Sequence, residues 1–382
     1  MKDLGEIRKR IDEIDSNLLR LFTERIQIAS DVAAAKREKG LPVLDPSRER
    51  AILTKVGQAV GPDLENEARI LYTTLFAISR GRQRAELIGG SSLPKMIDDA
   101  IANTPDSFPS MATVACPGAE GSYSQQATCR FFKTPTITYF RGFEGVFEAV
   151  ERGDCEYGVL PVENSAAGSV TAVYDLMAKH DFRIVRELRL RIQHVLLAAP
   201  GVKLEDVREV SSHPHALAQC KEFLGRHSEF KVVPSTNTAA AAEALAKSKS
   251  RDTAVIASRA CAELYGLNVI ADGISDVSQN YTRFICISKR TEIYHDANKI
   301  SLMMTLPHRP CALSDLLVKF AAIGVNLTKL ESRPMPGSDF EFRFIFDFDA
   351  SPRDRKVQKL LAGIELDPEI EHFTFLGSYA GK

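Results

Sequence analysis

The sequence lacks an excess of either charge. Lys and Arg number 49 against 50 Asp and Glu, a formal net charge of −1. That balance argues against a nucleic-acid partner, whose binder carries a basic footprint, and leaves room for local basic pockets that take small anions. Paired cysteines are lacking too: Cys116, Cys129, Cys155, Cys220, Cys261, Cys286 and Cys311 are scattered, with no C-x-x-C. An odd, dispersed set predicts reduced thiols in a cytoplasmic protein and supplies no metal site. No apolar run reaches the roughly 18 residues of a transmembrane helix, so no membrane partner is expected. The N-terminal MKDLGEIRKRIDEID has no apolar signal-peptide core. What is present is an ordinary globular composition, 44% hydrophobic and 26% charged over 382 residues, long enough for two or three domains with real cores.

Residues 3 to about 85 show no strand-like alternation and little Gly or Pro. GGSSLP (89–94) and NTPDSFPS (103–110) then break the composition and bracket what reads as a short tether. From Met111 to Lys289 strand and helix patterns alternate, which predicts an α/β domain. RTEIYHDANK (290–299) reads as a polar linker. The remainder follows a βαββαβ order, the ferredoxin-like pattern. The predicted architecture is multidomain: an all-helical bundle over 1–90, an α/β domain over 111–289 and an α+β ferredoxin-like domain over 299–378.

The first helix carries misplaced charge. Leu4, Ile7, Ile11, Ile14, Leu18, Leu21, Ile28 and Val32 recur at three and four residues, and the gap in the stripe is filled by Arg25. A neighbouring stripe ends in Lys36. Asp45-Pro46 is a capped helix start, and Glu49 shares a face with Ile52, Leu53 and Val56. In the third helix Ser79 and Gln83 stand at i,i+4 on the face of Tyr72 and Phe76. Each polar residue alone reads as surface; together they describe a polar pocket in a helical bundle, suited to a small dianion. Arg8, Arg25, Lys36, Asp45, Arg48, Glu49, Ser79 and Gln83 resemble the active-site set of the all-helical chorismate mutases over roughly residues 4–86. The resemblance implies a Claisen rearrangement of chorismate to prephenate, with arginines on the two carboxylates, Lys36 and Gln83 on the ether oxygen and Glu49 on the ring hydroxyl. The reaction is pericyclic and asks for positioning and charge stabilisation, not for a nucleophile. At ~1.5 Å per residue Arg8 and Lys36 lie about 42 Å apart on one straight helix. If Arg8 is a ligand, it serves a partner chain, and the bundle is an intertwined dimer.

The central region holds several loops of small polar residues. AEGSYSQQ is a Gly/Ser turn between strand and helix, able to cradle an anion or simply to turn the chain. Asn164 and Ser165 follow YGVLPV at a strand end, where α/β ligands bind. His213 and His215 flank Pro214 without further metal ligands. Thr282 and Arg283 open the apolar strand FICIS. These elements (G-S-Y-S, P-V-E-N-S, S-H-P and T-R-F) resemble prephenate dehydratase over about residues 112–288. The resemblance implies two α/β lobes around a cleft, similar to periplasmic binding proteins. It makes Thr282 the key catalytic group, Arg283 a carboxylate partner, and Ser122, Tyr123, Asn164, Ser165, Ser212, His213, Thr238 and Phe284 prephenate contacts. Cys116-Pro117 stands where that family usually has G-P.

Residues 299–378 resemble an ACT domain, the amino-acid-sensing module. Glu331-Ser332-Arg333-Pro334 matches its dehydratase version, and Cys311-Ala312-Leu313 stands where G-A-L is usual. The resemblance implies phenylalanine as effector on these seven residues; the alternative is a dimerisation module that no longer senses. The whole resembles the bifunctional chorismate mutase/prephenate dehydratases of phenylalanine biosynthesis. It implies a cytoplasmic homodimer or higher oligomer, with no cofactor and no metal, that acts on chorismate and prephenate and responds to L-phenylalanine. Two further readings are a dehydratase whose helices only dimerise and a non-enzymatic amino-acid sensor.

Overall fold

The computed structural model describes residues 3–87, 90–248, 250–335 and 341–381, with the backbone alone for 84–87. Three helices open the chain: α1 (Leu4–Glu38), α2 (Pro46–Val60) and α3 (Glu65–Leu87). Asp3 caps α1 by accepting from the Gly5 N–H at 3.2 Å, and Asp45 caps α2 by accepting from the Arg48 N–H at 3.0 Å. With 35 residues, α1 is a rod of about 50 Å. Its apolar stripe is not a core within one chain: Ala29 and Ala33 are buried, whereas Leu21 and Ile28, on either side of Arg25, are 52% and 51% exposed. The expected tether is instead partly helical. In α4 (Leu93–Asn103), Leu93, Ile97 and Ala100 are buried, at a four-then-three spacing that makes one apolar face.

The α/β region contains two sheets. The first is built from β1 (Met111–Pro117), α5 (Tyr123–Phe131), β2 (Thr134–Phe140), α6 (Phe143–Arg152), β3 (Tyr157–Asn164), β4 (Gly168–Ser169), α7 (Thr171–Met177) and β5 (Arg183–Arg191). The second follows with β6 (His194–Ala198), β7 (Glu209–Ser212), α8 (Pro214–Ala218), α9 (Lys221–Arg226), β8 (Lys231–Pro234), α10 (Thr238–Ser248), β9 (Thr253–Ser258), α11 (Arg259–Tyr265) and β10 (Asn268–Ala271). The chain then returns to the first sheet as β11 (Tyr281–Ser288), giving the orders β2-β1-β3-β11-β5, with β4 on β3, and β10-β6-β9-β7-β8. β11 is buried at every residue but Tyr281 because it lies between β3 and β5, antiparallel to both. Thr282 faces Asn164 and Arg283 faces Glu163; the register then slips, so that Phe284 stands opposite Pro161. A bulge of this kind re-aims neighbouring side chains.

The last elements are β12 (Lys299–Leu306), α12 (Ala312–Ala322), β13 (Asn326–Pro334), β14 (Phe342–Asp349), α13 (Arg355–Glu365) and β15 (Glu371–Tyr379). Their sheet runs β13-β14-β12-β15, the ferredoxin-like arrangement. Every residue of β12 is buried. The supposed polar linker before it is largely buried too: Ile293, Tyr294 and Ala297 are covered, and the Tyr294 hydroxyl donates to Glu292 at 2.7 Å.

By contacts the chain divides into two units, Met1–Asp98 with Leu302–Thr374, and Asp99–Ser301 with Phe375–Lys382. The division cuts within β12 and β15. The end of β15 therefore belongs to the α/β unit. A Cβ on Gly377, whose φ is +150°, would lie 2.2 Å from the Ile184 carbonyl oxygen of β5, so the two backbones touch and only glycine fits. Among the described residues no helix is long and apolar enough to cross a membrane.

Candidate active sites

A cleft of about 1170 Å³ lies in the α/β unit, lined from both sheets. Three helices of nine to eleven residues begin at it, through Ser122 and Tyr123 of α5, Gly142 and Phe143 of α6, and Asn237 and Thr238 of α10. Helix N-termini carry positive partial charge and open N–H groups, so the cleft favours an anion. Gly142 gives α6 no side-chain cap, which leaves its first N–H groups open.

Thr282 faces this cleft from β11, and its surroundings fix which way it hydrogen-bonds. The Asn164 Oδ1 accepts from the backbone N–H groups of Ala166 and Ala167 at 3.0 and 2.9 Å. Backbone N–H groups can only donate, so the amide nitrogen of Asn164 points the other way. It donates to the Thr282 Oγ1 at 2.9 Å and to the Asn280 Oδ1 at 2.8 Å. Thr282 therefore accepts from Asn164 and keeps its own proton for the cleft. The network continues outward: Asn280 donates to the Gln219 Oε1 at 3.1 Å, and the same oxygen takes the His194 Nε2 at 2.9 Å. With Nε2 donating, the other ring nitrogen of His194 is left unprotonated, 3.3 Å from the Tyr123 hydroxyl. Burial, the main cause, holds the His194 pKa below its usual value, so the ring is neutral at pH 7. Burial, and then His215, likewise lower that of His213.

Of the dehydratase residues expected from the sequence, Ser122, Tyr123, Asn164, His213, Thr238, Thr282 and Phe284 line the cleft. Three do not. Arg283 is turned to the opposite face of β11 and paired with Glu187, because adjacent strand residues point to opposite faces. Ser212 is fully buried and donates to the Ile256 carbonyl at 2.6 Å. Ser165 accepts from the Tyr281 N–H at 2.9 Å and so tethers the end of β3. The cation in the cleft lining is Arg141. The sequence reading does not single out His194, Gln219 and Asn280, because they lie in three distant segments and no spacing along the chain links them.

The helical unit brings together part of its expected set. Arg25 of α1 donates to the Ser79 hydroxyl at 2.6 Å and to the Leu75 carbonyl at 3.3 Å, with its guanidinium 5.7 Å from the Phe76 ring. Glu49 of α2 pairs with Arg80, a buried residue that the sequence reading passed over beside Ser79. Gln83, one turn on, is buried with its Oε1 unpartnered. Lys36 is turned onto the Val43 carbonyl. Asp45 is engaged as the α2 cap and Arg48 is exposed. Arg8 lies 17 residues before Arg25 on the same continuous helix, about 25 Å away.

Residues 7–84 match the family description of chorismate mutase type II, and residues 114–292 that of prephenate dehydratase. The bifunctional chorismate mutase/prephenate dehydratase of Escherichia coli (strain K12) is 32% identical, with 98% of this chain and 96% of that one covered. The chain belongs to the bifunctional chorismate mutase/prephenate dehydratase family. Arogenate dehydratase 1 of Petunia hybrida is 36% identical over 78% of this chain and 74% of its own length. The crystal structure of prephenate dehydratase from Arthrobacter aurescens in complex with L-Phe is 34% identical, with a TM-score of 0.64, over 70% of this chain and 90% of that one.

The chain thus carries two activities of phenylalanine biosynthesis. One rearranges chorismate to prephenate. The other removes carbon dioxide and water from prephenate to give phenylpyruvate. In the enzyme's C-terminal sheet, the Thr305 hydroxyl near the end of β12 donates to the Met335 sulfur at 3.4 Å. Met335 directly follows Glu331, Ser332, Arg333 and Pro334 at the end of β13, which β14 separates from β12 in the sheet; from β12 the chain leads through Cys311, Ala312 and Leu313 into α12. Cys311 is exposed and has φ +66°, the left-handed region where a Cβ is strained.

Proposed function

We propose that Thr282 donates the hydrogen bond, and then the proton, that lets the ring hydroxyl of prephenate leave as water. The bond from the ring to its carboxylate breaks, its electron pair aromatises the ring and expels the hydroxyl, and carbon dioxide departs. Thr282 takes its proton back from water. The observation that carries this reading is the fixed direction of the Asn164 amide, which makes Thr282 an acceptor toward Asn164 and a donor toward the cleft. The three helix N-termini and Arg141 supply the positive potential for a dianionic substrate. Neither step calls for a cofactor or a metal.

Asn164→Asp keeps the shape and removes the donor. Thr282 then gives its proton to the new carboxylate, and kcat for prephenate is expected to fall about 10²-fold with chorismate turnover unchanged. A folded variant with full dehydratase activity would sink the assignment. Arogenate, the substrate in the names of the plant relatives, is the second reading; prephenate is preferred because the mutase on the same chain makes it.

In the helical unit, Arg25, Lys36, Glu49 and Gln83 take chorismate, with Lys36 and Gln83 on the ether oxygen. Arg48, Ser79 and Asp45 flank them, and Arg8 comes from a second copy. Support comes from the outward apolar stripe of α1, since such a face on a long helix needs a cover. The oligomer is at least a dimer. A cytoplasmic location fits the seven free cysteines.

The C-terminal domain serves as an ACT-type effector domain for L-phenylalanine, bound through residues 311–313 and 331–334. A cysteine in a left-handed position strains the backbone that would meet the ligand. Cys311→Gly is therefore expected to stabilise the protein by about 1 kcal/mol. It should also lower the phenylalanine concentration that half-inhibits prephenate turnover by about fivefold, a ~1 kcal/mol gain. Titration of both forms decides: equal sensitivity marks Cys311 as neutral, and no response in either makes the domain a dimerisation module.

A further inference from the structure

On the face of β11 turned away from the cleft lies a buried charge cluster that neither reaction uses. Arg283 meets Glu187 of β5 with Nε 2.5 Å from Oε2, donates from Nη2 to the Tyr379 hydroxyl at 2.9 Å, and has Glu163 at 3.9 Å. The Glu187 side chain is wholly buried, and its second oxygen accepts from the Lys299 ammonium at 2.6 Å. The Tyr379 hydroxyl also shares a 2.6 Å hydrogen bond with Ser301. The cluster therefore joins β5 and β11 to the first residues of β12 and the last residue of β15. Arg189, directly opposite Arg283 in the ladder, has the same charge and gives it no attraction, so Glu187 supplies the nearest opposite charge.

Buried ion clusters are poor sources of stability, since apolar packing of the same volume does as well; what they supply is a fixed arrangement. The arrangement matters at this point because Arg283 is covalently next to Thr282 and sits at the register slip between β11 and β3. A ladder that slips constrains its strand less than a regular one. A catalytic group displaced by 1 Å loses about 10² in rate. We propose that Glu187, Arg283 and Tyr379 are positioning residues for Thr282. Glu187 and Tyr379 clamp the guanidinium of Arg283 from two sides. The clamp holds the bulged strand so that the Thr282 hydroxyl meets both Asn164 and the substrate.

The test uses the full chain and steady-state turnover of prephenate in Glu187→Gln, Tyr379→Phe and Arg283→Lys. Circular dichroism and thermal unfolding establish that each variant is folded. Glu187→Gln is expected to lower kcat at least tenfold with KM within threefold of wild type. Tyr379→Phe should lower it three- to tenfold in the same way. Arg283→Lys retains a charge for Glu187 and loses the fork, so it should fall between wild type and Glu187→Gln. Chorismate turnover should be unchanged in all three. A role in stability alone would lower the unfolding temperature and leave kcat at the wild-type value; that result in folded variants overturns the proposal. So does a raised KM with kcat intact, which would make Arg283 a substrate ligand. If Glu187→Gln does not fold, Tyr379→Phe decides, since it leaves every charge paired.

Discussion

Thr282→Ala is expected to lower prephenate turnover by roughly 10²–10⁴-fold, the usual contribution of a positioned proton donor, and to leave chorismate turnover at the wild-type rate. Lys36→Ala is expected to do the reverse, losing about 10²–10³-fold in the mutase step, the scale for one lost donor at a developing charge. The two residues belong to different compact units, and each has its own surroundings: Asn164 for Thr282, and the Val43 carbonyl for Lys36. Neither substitution strands a charge in an interior. Thr282→Ala leaves the Asn164 amide with Asn280 as acceptor, and Lys36→Ala frees a carbonyl near solvent. The losses should therefore be catalytic rather than structural. The measurement follows chorismate loss and phenylpyruvate formation in one preparation, with prephenate also supplied directly. If Lys36→Ala abolished dehydration of supplied prephenate in a folded protein, the assignment of two separate sites would be wrong.

Mixing two inactive chains should restore mutase activity. Arg8→Ala and Arg25→Ala homodimers are each expected to be inactive, because every site then lacks one arginine. In a mixed dimer one site takes Arg8 from the Arg25→Ala chain and Arg25 from the other, and is complete. Random equal mixing makes about half the dimers mixed, each with one good site of two, so about a quarter of wild-type activity should return. The argument rests on α1 being one unbroken helix, which keeps its own Arg8 about 25 Å from its own Arg25. Verified mixed dimers without activity would mean that Arg8 serves no site in trans.

The sequence declared some of this directly and hid the rest for physical reasons. Strand β11 was plain because a run such as FICIS has no use outside a sheet interior. The cap at Asp45 is local chemistry and stands where a capping residue belongs; the caps at Asp3 and Ser122 follow the same rule but are seen only in the structure. The facing of Arg283 was hidden. In T-R-F the letters are adjacent, but a pleat sends neighbours to opposite faces, and only the surroundings tell which face is the cleft. Ser212 was misread for the same reason. His194, Gln219 and Asn280 come together from distant loops, and no spacing along the chain announces a contact of that kind. The spacing of Leu93, Ile97 and Ala100 signals α4, but the Gly, Ser and Pro residues on either side signal a tether as strongly. The stripe of α1 is plain in the sequence, but its exposure is not: Leu21 and Ile28 stay about half exposed among the described residues.

The placement of Gly377 and Tyr379 in the α/β unit has a consequence for biosynthesis. A ribosome releases the chain from its N-terminus onward, so Arg283 emerges almost a hundred residues before Tyr379 can reach it. Throughout that interval Gly377 is not there to meet Ile184 of β5, and the guanidinium can meet Glu187 but not Tyr379. The α/β unit thus emerges in outline, after α1–α3, well before it can be finished. Its closing step waits on the end of β15, the last strand to be made.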